Sequence, residues 1–428
     1  MTLQRREFLG ILGAGSALAA LGGCATMGAT AGGRVVVIGG GFAGATAAKY
    51  IRMWSNGSVD VTLVEPREHF VSCPMSNLVI GGSKTIDFIT HRYDGLASRH
   101  GVKIVRDTAT AVDTEKRTVR TAGGQTLAYD RLIVAPGIDF MWESLPALAK
   151  NPEAGTQIAP HAWQAGPQTL LLRRQLEAMP DGGVAAIAIP KAPYRCPPGP
   201  YERACQIAWY FKNRKPKSKV LILDGNADIQ SKKGLFLKVW NEDYKGLIEY
   251  RANHVLTDVD LATRTLKFDV QGDVKADVIN VIPPQRAGAV ARAAGVVTAN
   301  NRWCEVDFLT YESVKVKNVH VLGDAIQVAP RMPKSGHMAN QQAKVCAAAV
   351  VALLSGGSVN RTPVVTNTCY SMTNDTDTVH VASVHQYDAG KKTMLTVPGS
   401  GGLSPAPTAL EGKYAFAWAQ NLWADMLA

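Results

Sequence analysis

The glycine-rich turn near the start of the chain constrains its fold more than any other feature. It follows an apolar run, residues 35–38, that is typical of a buried parallel strand, and it precedes residues 43–53, which are rich in helix formers and lack proline. In such a unit the glycines let the backbone approach a pyrophosphate, whose charge the helix N-terminus stabilises. The pattern G-x-G-x-x-G is carried by Gly39, Gly41, Phe42, Ala43 and Gly44.

A second apolar strand, residues 59–64, strengthens this interpretation because it ends at Glu65. An acid about 20 residues after the glycines can accept hydrogen bonds from an adenosine ribose. A glycine turn alone is weak evidence, but the strand and the acid together favour a nucleotide-binding lobe over a turn without a ligand.

Two later strands are expected to return the chain to the same ligand. Residues 131–134 end in a Pro-Gly turn, as do strands that lead back to the flavin in proteins with two dinucleotide-binding lobes. Residues 318–322 end in a Gly-Asp pair, whose carboxylate suits hydrogen bonding to a ribityl chain. The residues that close these strands are Pro136, Gly137, Gly323 and Asp324.

His337 lies where a helix over residues 338–354 is predicted to begin. The positive end of such a helix stabilises negative charge on a reduced isoalloxazine ring. A histidine at this position is also compatible with a helix cap or a satisfied place in the core.

The middle of the chain repeats the nucleotide-binding layout without its phosphate-binding turn. Residues 183–189 and 219–224 are predicted strands, with a helix between them. The connecting turn, residues 190–200, reads PKAPYRCPPGP, and its prolines fix the backbone and remove N–H donors. The second lobe therefore resembles a nucleotide-binding scaffold converted to hold a cysteine, Cys196. Because this cysteine precedes a helix N-terminus, we expect its thiol to have a lowered pKa.

The N-terminal residues are typical of an export signal. Arg5 and Arg6 precede an apolar run, residues 11–21, that is too short to span a membrane, and the pattern resembles a twin-arginine signal. We expect export to the periplasm, with cleavage near residues 29–31. A lipoprotein-like box at Cys24, which would leave a lipid anchor, is the alternative.

Composition excludes several classes of protein. The chain has 46 basic and 35 acidic residues, a net charge of +11, but no motif or aromatic interleaving that would indicate nucleic-acid binding. No segment after the signal reaches membrane-spanning length. The seven cysteines show no metal-ligand spacing and no C-x-x-C-H motif, so we expect no metal site here and any haem on another chain. One cluster of basic residues is interpreted as a solvated loop in preference to a docking patch for an acidic partner. Its members are Lys212, Arg214, Lys215, Lys217 and Lys219.

The residues after 362 alternate as short strands and end in an aromatic helix, in which Trp423 is a candidate for an electron path to a partner. The chain is thus predicted to be α/β, with two Rossmann-type lobes and a C-terminal α+β interface domain. The predicted divisions are a signal peptide (1–31), the first part of the FAD-binding lobe (32–140), a second nucleotide-binding-like lobe without an NAD fingerprint (141–285), the second part of the FAD lobe (286–358) and the interface domain (359–428).

Three motifs give the chain a specific resemblance. HFVSCPMSN, YRCPPGPYER and TNTCYSM, together with the glycine turn and the strand ends, resemble the flavoprotein subunit of flavocytochrome c sulfide dehydrogenase, and equally the related SoxF flavoproteins. The resemblance implies a disulfide-reductase-like fold and an FAD bound covalently through Cys73. It also implies a redox-active disulfide between Cys196 and Cys369, with a nearby carboxylate at Glu202.

The same resemblance implies a sulfide:cytochrome c oxidoreductase. Hydrosulfide would attack the disulfide, and electrons would pass through the flavin to a haem on a c-type cytochrome subunit. A sulfide:quinone oxidoreductase and an NADH-dependent disulfide reductase are the alternatives, and a non-enzymatic electron carrier is less favoured.

Plainer interpretations stay open for individual residues. Buried, inert thiols are the preferred interpretation of Cys205, Cys304 and Cys346. Glu202 is equally compatible with a solvated helix acid. A purely structural bridge between Cys196 and Cys369 is a serious competitor, because a crosslink over so long a loop stabilises a fold by roughly 5 kcal/mol.

Overall fold

The computed structural model describes residues 32–428. The predicted export signal, including Arg5, Arg6, the lipid-box residue Cys24 and the cleavage region 29–31, lies outside the described residues.

The strands vary from two to eleven residues. In chain order they are β1 Gly33–Ile38, β2 Val59–Val64, β3 His69–Val71, β4 Thr90–Arg92, β5 Lys103–Val105, β6 Ala109–Asp113, β7 Thr118–Thr121, β8 Thr126–Ala128, β9 Arg131–Val134, β10 Ile138–Phe140, β11 Val184–Ile189, β12 Lys219–Asp224, β13 Ile248–Arg251, β14 Leu256–Asp260, β15 Thr265–Phe268, β16 Val274–Lys275, β17 Val278–Val281, β18 Gln285–Ala287, β19 Val319–Val321, β20 Val364–Met372, β21 Thr378–Asp388, β22 Thr393–Thr396 and β23 Gly402–Leu403.

The α-helices are, in the same order, α1 Phe42–Trp54, α2 Ser76–Gly81, α3 Asp94–Ser98, α4 Pro146–Lys150, α5 Pro152–Ile158, α6 Pro167–Ala178, α7 Gly199–Arg214, α8 Lys233–Glu242, α9 Ala289–Ala293, α10 Gly336–Ser355 and α11 Ala409–Leu427. Short 3₁₀ helices occupy Ile86–Ile89, Trp142–Ser144 and Gly323–Ala325.

The first lobe is built on a parallel sheet in the order β19-β9-β1-β2-β5. Strands β1, β9 and β19 are in parallel register and almost wholly buried, as expected of a sheet covered on both faces. Their carboxyl ends lie at one edge, and each leads into a predicted ligand-binding turn. The apolar runs therefore predicted this lobe correctly.

The second lobe has the same design. Its parallel sheet has the order β13-β12-β11-β17, and α7 follows β11 after the proline-rich turn that holds Cys196. The repeated strand, turn and helix confirms the predicted pair of Rossmann-type lobes.

The C-terminal domain is an antiparallel sheet covered by α11. Strand β20 pairs with β21 along its whole length, β21 also pairs with β22 and β23, and Cys369 lies in the interior of β20. This α+β unit packs on the first lobe through contacts of α11 with α1 and of β20 with α10. The packing brings Cys369 back to the first lobe.

Helix α10 begins slightly earlier than the sequence predicts, and a small sheet lies beside the first lobe. Residues 109–128 form a small antiparallel sheet of three strands, in which β7 pairs with both β6 and β8. Helix α10 begins at Gly336 because the Ser335 hydroxyl accepts a hydrogen bond from the Met338 N–H and caps it. His337 therefore lies inside the first turn of the helix.

The basic cluster of residues 212–219 is only partly a solvated surface. Lys212 and Lys217 are exposed, but Lys215 is buried, and its ammonium donates to the carbonyls of Leu176, Glu177 and Met179 at the end of α6. Lys215 thus satisfies helix-end carbonyls, where a cation is favoured by the helix dipole. Over residues 32–428, no helix is long and apolar enough to cross a membrane.

Candidate functional site

A cavity of about 570 Å³ lies where the two lobes and the C-terminal domain meet. Its volume is within the range of small-molecule and cofactor sites. The structure brings every predicted site residue to its wall except Gly44, although these residues come from distant parts of the chain. The predicted residues that line it are Gly39, Gly41, Phe42, Ala43, Glu65, Cys73, Pro136, Gly137, Cys196, Glu202, Gly323, Asp324, His337 and Cys369.

The glycines of the first turn have different tasks. A Cβ at Gly41 would meet no atom within 4 Å, so its backbone is open to a ligand in the cavity. A Cβ at Gly44 would lie 1.8 Å from the Gly39 carbonyl oxygen, so Gly44 permits helix α1 to pack against the turn. Gly39 itself has a φ of +98°, which favours glycine.

Glu65 is buried and holds the glycine turn. Its carboxylate accepts hydrogen bonds from the Gly40 N–H at 2.7 Å and from Arg67 Nε at 2.8 Å. Burial by itself raises the pKa of Glu65, but the hydrogen bonds and charge of Arg67 and the Gly40 N–H outweigh it and hold the pKa below its usual value. Glu65 is therefore an anion that holds the glycine turn in place, in addition to its predicted role as the acceptor for the ribose hydroxyls.

Asp324 carries a buried carboxylate oxygen, Oδ1, without a hydrogen-bond partner in the described structure. Buried polar atoms are rarely left unpaired, so this oxygen indicates a donor supplied by a bound molecule. The hydroxyls of a ribityl chain are donors of this kind. Together with the open N-terminus of α1, the residues present fit FAD.

Cys73 lies between β3 and α2, half-buried in the cavity wall. Its Sγ donates to the Trp163 carbonyl at 3.7 Å. The thiol is thus directed by a main-chain acceptor from the connection between the lobes.

Cys196 is held by the proline-rich turn in a left-handed conformation, with φ +57°. Its N–H donates to the Lys334 carbonyl at 2.8 Å, and its own carbonyl accepts from the first residue of α7, Gly199, at 2.9 Å. Burial, followed by the negative charges of Cys369 and Glu202, raises the pKa of the Cys196 thiol. The expected lowering by the helix N-terminus is therefore wrong, because desolvation dominates in this interior position.

Cys369 faces the same cavity from β20. Its Sγ accepts a hydrogen bond from Asn367 Nδ2 at 3.5 Å, and Asn367 is fixed in turn by the Ser335 hydroxyl at 2.6 Å. Cys196 and Cys369 are both free thiols in the structure. Both line the same cavity, Cys196 from the proline-rich turn and Cys369 from β20.

Glu202 is a buried acid and not a solvated one. It is 8% exposed, and its carboxylate accepts from Asn77 Nδ2 at 3.1 Å and from the Met372 N–H at 3.0 Å. Burial raises the pKa of Glu202, and the hydrogen bonds only partly oppose this. The group is thereby suited to exchange a proton closer to neutral pH than an ordinary carboxyl.

Arg203, which the sequence analysis did not single out, completes this wall. Its fully buried guanidinium donates to Asn77 at 3.1 Å, to Asn280 at 2.9 Å and to the carbonyls of His161 and Ala162. Within residues 32–428 it has no carboxylate in ion-pair contact. The only sequence signal was its place beside Glu202 in YERACQ.

Aromatic residues close the cavity on the C-terminal side. Trp418 lines the wall, and the centroid of its ring lies 5.9 Å from that of His337. Trp423, the candidate for an electron path, is buried in α11, and its ring centroid lies 4.3 Å from that of His91. His337 Nδ1 accepts from the Thr368 N–H at 3.0 Å, and burial lowers its pKa to about 4, so the ring is neutral at pH 7.

The second lobe fills its own nucleotide position with aromatic side chains. Asp224, at the end of β12, would be the ribose acceptor of an NAD site. It instead accepts from Tyr201 Oη at 2.7 Å and Tyr250 Oη at 3.2 Å, and Tyr201 is fully buried in the first turn of α7. The chain itself therefore satisfies the acid that would bind NAD.

This fold and cavity define an FAD-dependent enzyme of the pyridine nucleotide-disulphide oxidoreductase class. The family pattern described by that name matches residues 33–162. The chain is similar in fold to the crystal structure of the sulfide:quinone oxidoreductase from Aquifex aeolicus, with a TM-score of 0.72 and 19% identity over 92% of this chain and 91% of that one. It is also similar to putidaredoxin reductase in its complex with putidaredoxin, with a TM-score of 0.65 and 16% identity over 91% of this chain and 93% of that one.

Within this class, the chain belongs to the flavoprotein chains of flavocytochrome c sulfide dehydrogenase. The central domain of that flavoprotein matches residues 169–283, and its flavin-binding domain matches residues 361–427, which supports FAD as the cofactor. The flavoprotein chain from Chlorobaculum thiosulfatiphilum is 61% identical over 46 residues, which are 94% of that sequence and 11% of this one.

More distant relatives are sulfide:quinone oxidoreductases. The mitochondrial protein of Dictyostelium discoideum is 25% identical over 305 residues, which are 68% of this chain. This match spans 65% of the relative's own length.

The two glycine roles predict different effects of alanine. Gly44→Ala forces a methyl group against a carbonyl oxygen and should lower the free energy of unfolding by about 3 kcal/mol. Gly41→Ala has room in the protein and an extended backbone, with φ −73°, so its unfolding free energy should change by less than about 0.5 kcal/mol while its FAD content falls. Thermal unfolding and the FAD-to-protein absorbance ratio check both. Equal loss of stability in the two variants would contradict this division.

NADH should be a poor electron donor for two reasons. The Tyr201 hydroxyl already donates a hydrogen bond to the Asp224 carboxylate, and prolines replace the phosphate-binding turn. Flavin absorbance should stay constant with micromolar NADH under argon, whereas dithionite should bleach it. Rapid stoichiometric bleaching by NADH would refute this account of the second lobe.

Proposed function

We propose that this protein is the FAD-bearing subunit of an exported sulfide dehydrogenase that delivers electrons to a c-type cytochrome. The observation that carries the proposal is the convergence of Cys196, Cys369 and Glu202 on the cavity whose other wall fits FAD. Such a pair of cysteines beside a flavin is what a disulfide-based two-electron reaction needs.

The first step follows from thiol–disulfide chemistry. With Cys196 and Cys369 oxidised, the hydrosulfide sulfur attacks one cysteine sulfur, a new S–S bond forms and the old one breaks. The bonding pair leaves on the other cysteine, so the products are one persulfide and one thiolate. Hydrosulfide supplies the electrons, and the disulfide is reduced by two equivalents.

Glu202 is the proton carrier of this step. Its raised pKa lets the carboxylate take the proton of the incoming hydrosulfide or of the persulfide at Oε1 or Oε2. The neighbouring Arg203 is a buried cation without a carboxylate partner in the described chain, so it attracts a small anion into the cavity. FAD, when bound, supplies the two-electron acceptor for the reduced cysteines.

The acceptor is proposed to be a cytochrome on a separate chain. This chain contains no C-x-x-C-H haem site, and the family to which it belongs is named for its cytochrome. Its N-terminal sequence supports export to the periplasm, where cytochrome subunits carry electrons.

The flavin is proposed to be covalent, through a thioether from Cys73 to the 8α carbon. Cys73→Ala should release FAD on acid precipitation, whereas the wild-type precipitate should stay yellow. Cys346→Ala is the matched control, because that cysteine is buried in α10 away from the cavity. A colourless wild-type precipitate with FAD in the supernatant would contradict the covalent link.

Cys196→Ser and Cys369→Ser should each lower the rate of sulfide oxidation by a factor on the order of 1,000 or more, because neither can form the disulfide. FAD content and reduction by dithionite should be unchanged. The assay measures sulfide-dependent reduction of cytochrome c and, in parallel, of a soluble quinone.

Near wild-type turnover in both serine variants would show that the cysteines are only a structural bridge. Wild-type reduction of quinone as fast as of cytochrome c would replace the proposed acceptor with the one that the mitochondrial relatives are named for.

A further inference from the structure

The ammonium group of Lys232 is a buried charge that the reaction above does not use. Lys232 is 4% exposed and precedes α8 in a left-handed conformation, with φ 56°, which is unfavourable for a lysine. Its Nζ donates to the Ser371 hydroxyl at 2.7 Å. Over residues 32–428, Nζ makes no ion pair, although a buried ammonium ordinarily needs one.

The position of Ser371 connects this charge to the cysteines. Ser371 lies two residues after Cys369 on β20, and residues two apart on a strand share a face. Lys232 therefore meets β20 on the face that carries the Cys369 thiol. From α7, Glu202 also approaches this region, because it accepts the N–H of the next residue, Met372.

We propose that Lys232 is a positioning residue that supplies a fixed positive charge to the thiolate released when the Cys196–Cys369 bond is opened. This inference rests on the proposed function. In that step one cysteine sulfur leaves with the bonding pair, and the new anion forms near an ammonium that has the Ser371 hydroxyl but no carboxylate as a partner in residues 32–428. A charge already in place stabilises the developing anion without reorganisation.

The surrounding charges support this role. Burial lowers the pKa of Lys232 to about 8, and the negative forms of Cys369, Glu202 and Cys196, with Glu411 of α11, act to raise it. The ammonium in turn lowers the pKa of the Cys196 thiol and so opposes the raising of that pKa by burial. Removing the charge of Lys232 should therefore raise the pKa of Cys196 further.

The test measures thiolate formation directly, without sulfide or a cytochrome. The dithionite-reduced, FAD-containing protein is alkylated with iodoacetamide between pH 6 and 10, and modification of Cys196 and Cys369 is followed by peptide mass spectrometry. Lys232→Met should shift the pH profile of the more reactive thiol upward by about one unit, with roughly tenfold slower alkylation at pH 7. Lys232→Arg should stay within about threefold of wild type.

Two further variants separate charge from structure. Lys232→Gln keeps a donor for Ser371 without the charge and should behave as Lys232→Met does, which also serves if the methionine variant fails to fold. Lys233→Met, which removes an exposed neighbouring cation paired with Asp228, should alkylate as wild type. A wild-type profile in Lys232→Gln or Lys232→Met overturns the inference, even if sulfide oxidation is intact. Absence of sulfide oxidation in the wild-type protein refutes the proposed function and leaves the alkylation result to stand alone.

Discussion

The buried guanidinium of Arg203 is the interaction on which the rest of the site depends. It donates to Asn77 of the first lobe, to Asn280 of the second and to the carbonyls of His161 and Ala162 in the connection between them. A buried charge is tolerated only where its donors are matched, so these acceptors must stay in one arrangement. Arg203 thereby fixes the two lobes around the cavity.

The same low-polarity interior sets the electrostatic character of the cysteines. Burial raises the pKa of Cys196 and of Glu202, while it lowers that of Lys232. Each of these three shifts favours the neutral form of its group, so burial disfavours charge at this site before the reaction begins. Two buried cations, Arg203 and Lys232, lack carboxylate partners in the described chain, and both would be available to the anion that the proposed reaction forms.

The sequence predicted the scaffold better than the site. Apolar runs predicted β1, β2, β9, β11 and β12, because parallel strands covered on both faces must be apolar throughout. The ligand-binding turns could then be predicted, because they lie at the carboxyl ends of those strands.

Tertiary packing explains what the sequence did not predict. Lys215 and Lys232 look like surface lysines in the sequence, and only packing against a helix end or beside β20 buries them. Likewise, Cys369 was predicted as a site residue mainly from the family resemblance, because pairing across so many residues leaves no local pattern. The lowered pKa expected for Cys196 failed for the same reason, since helix position is visible in sequence and desolvation is not.

The cavity wall is assembled from the beginning, middle and end of the chain. Its last contributions, from β20 and α11, arrive only when the C-terminal domain packs on α1 and α10. Such long-range closure is slow relative to local folding, because its entropic cost precedes its contacts. During synthesis the cavity therefore stays open on one side until the C-terminal domain has been made. A cofactor that is enclosed in the cavity then indicates that the C-terminal domain has packed on the first lobe.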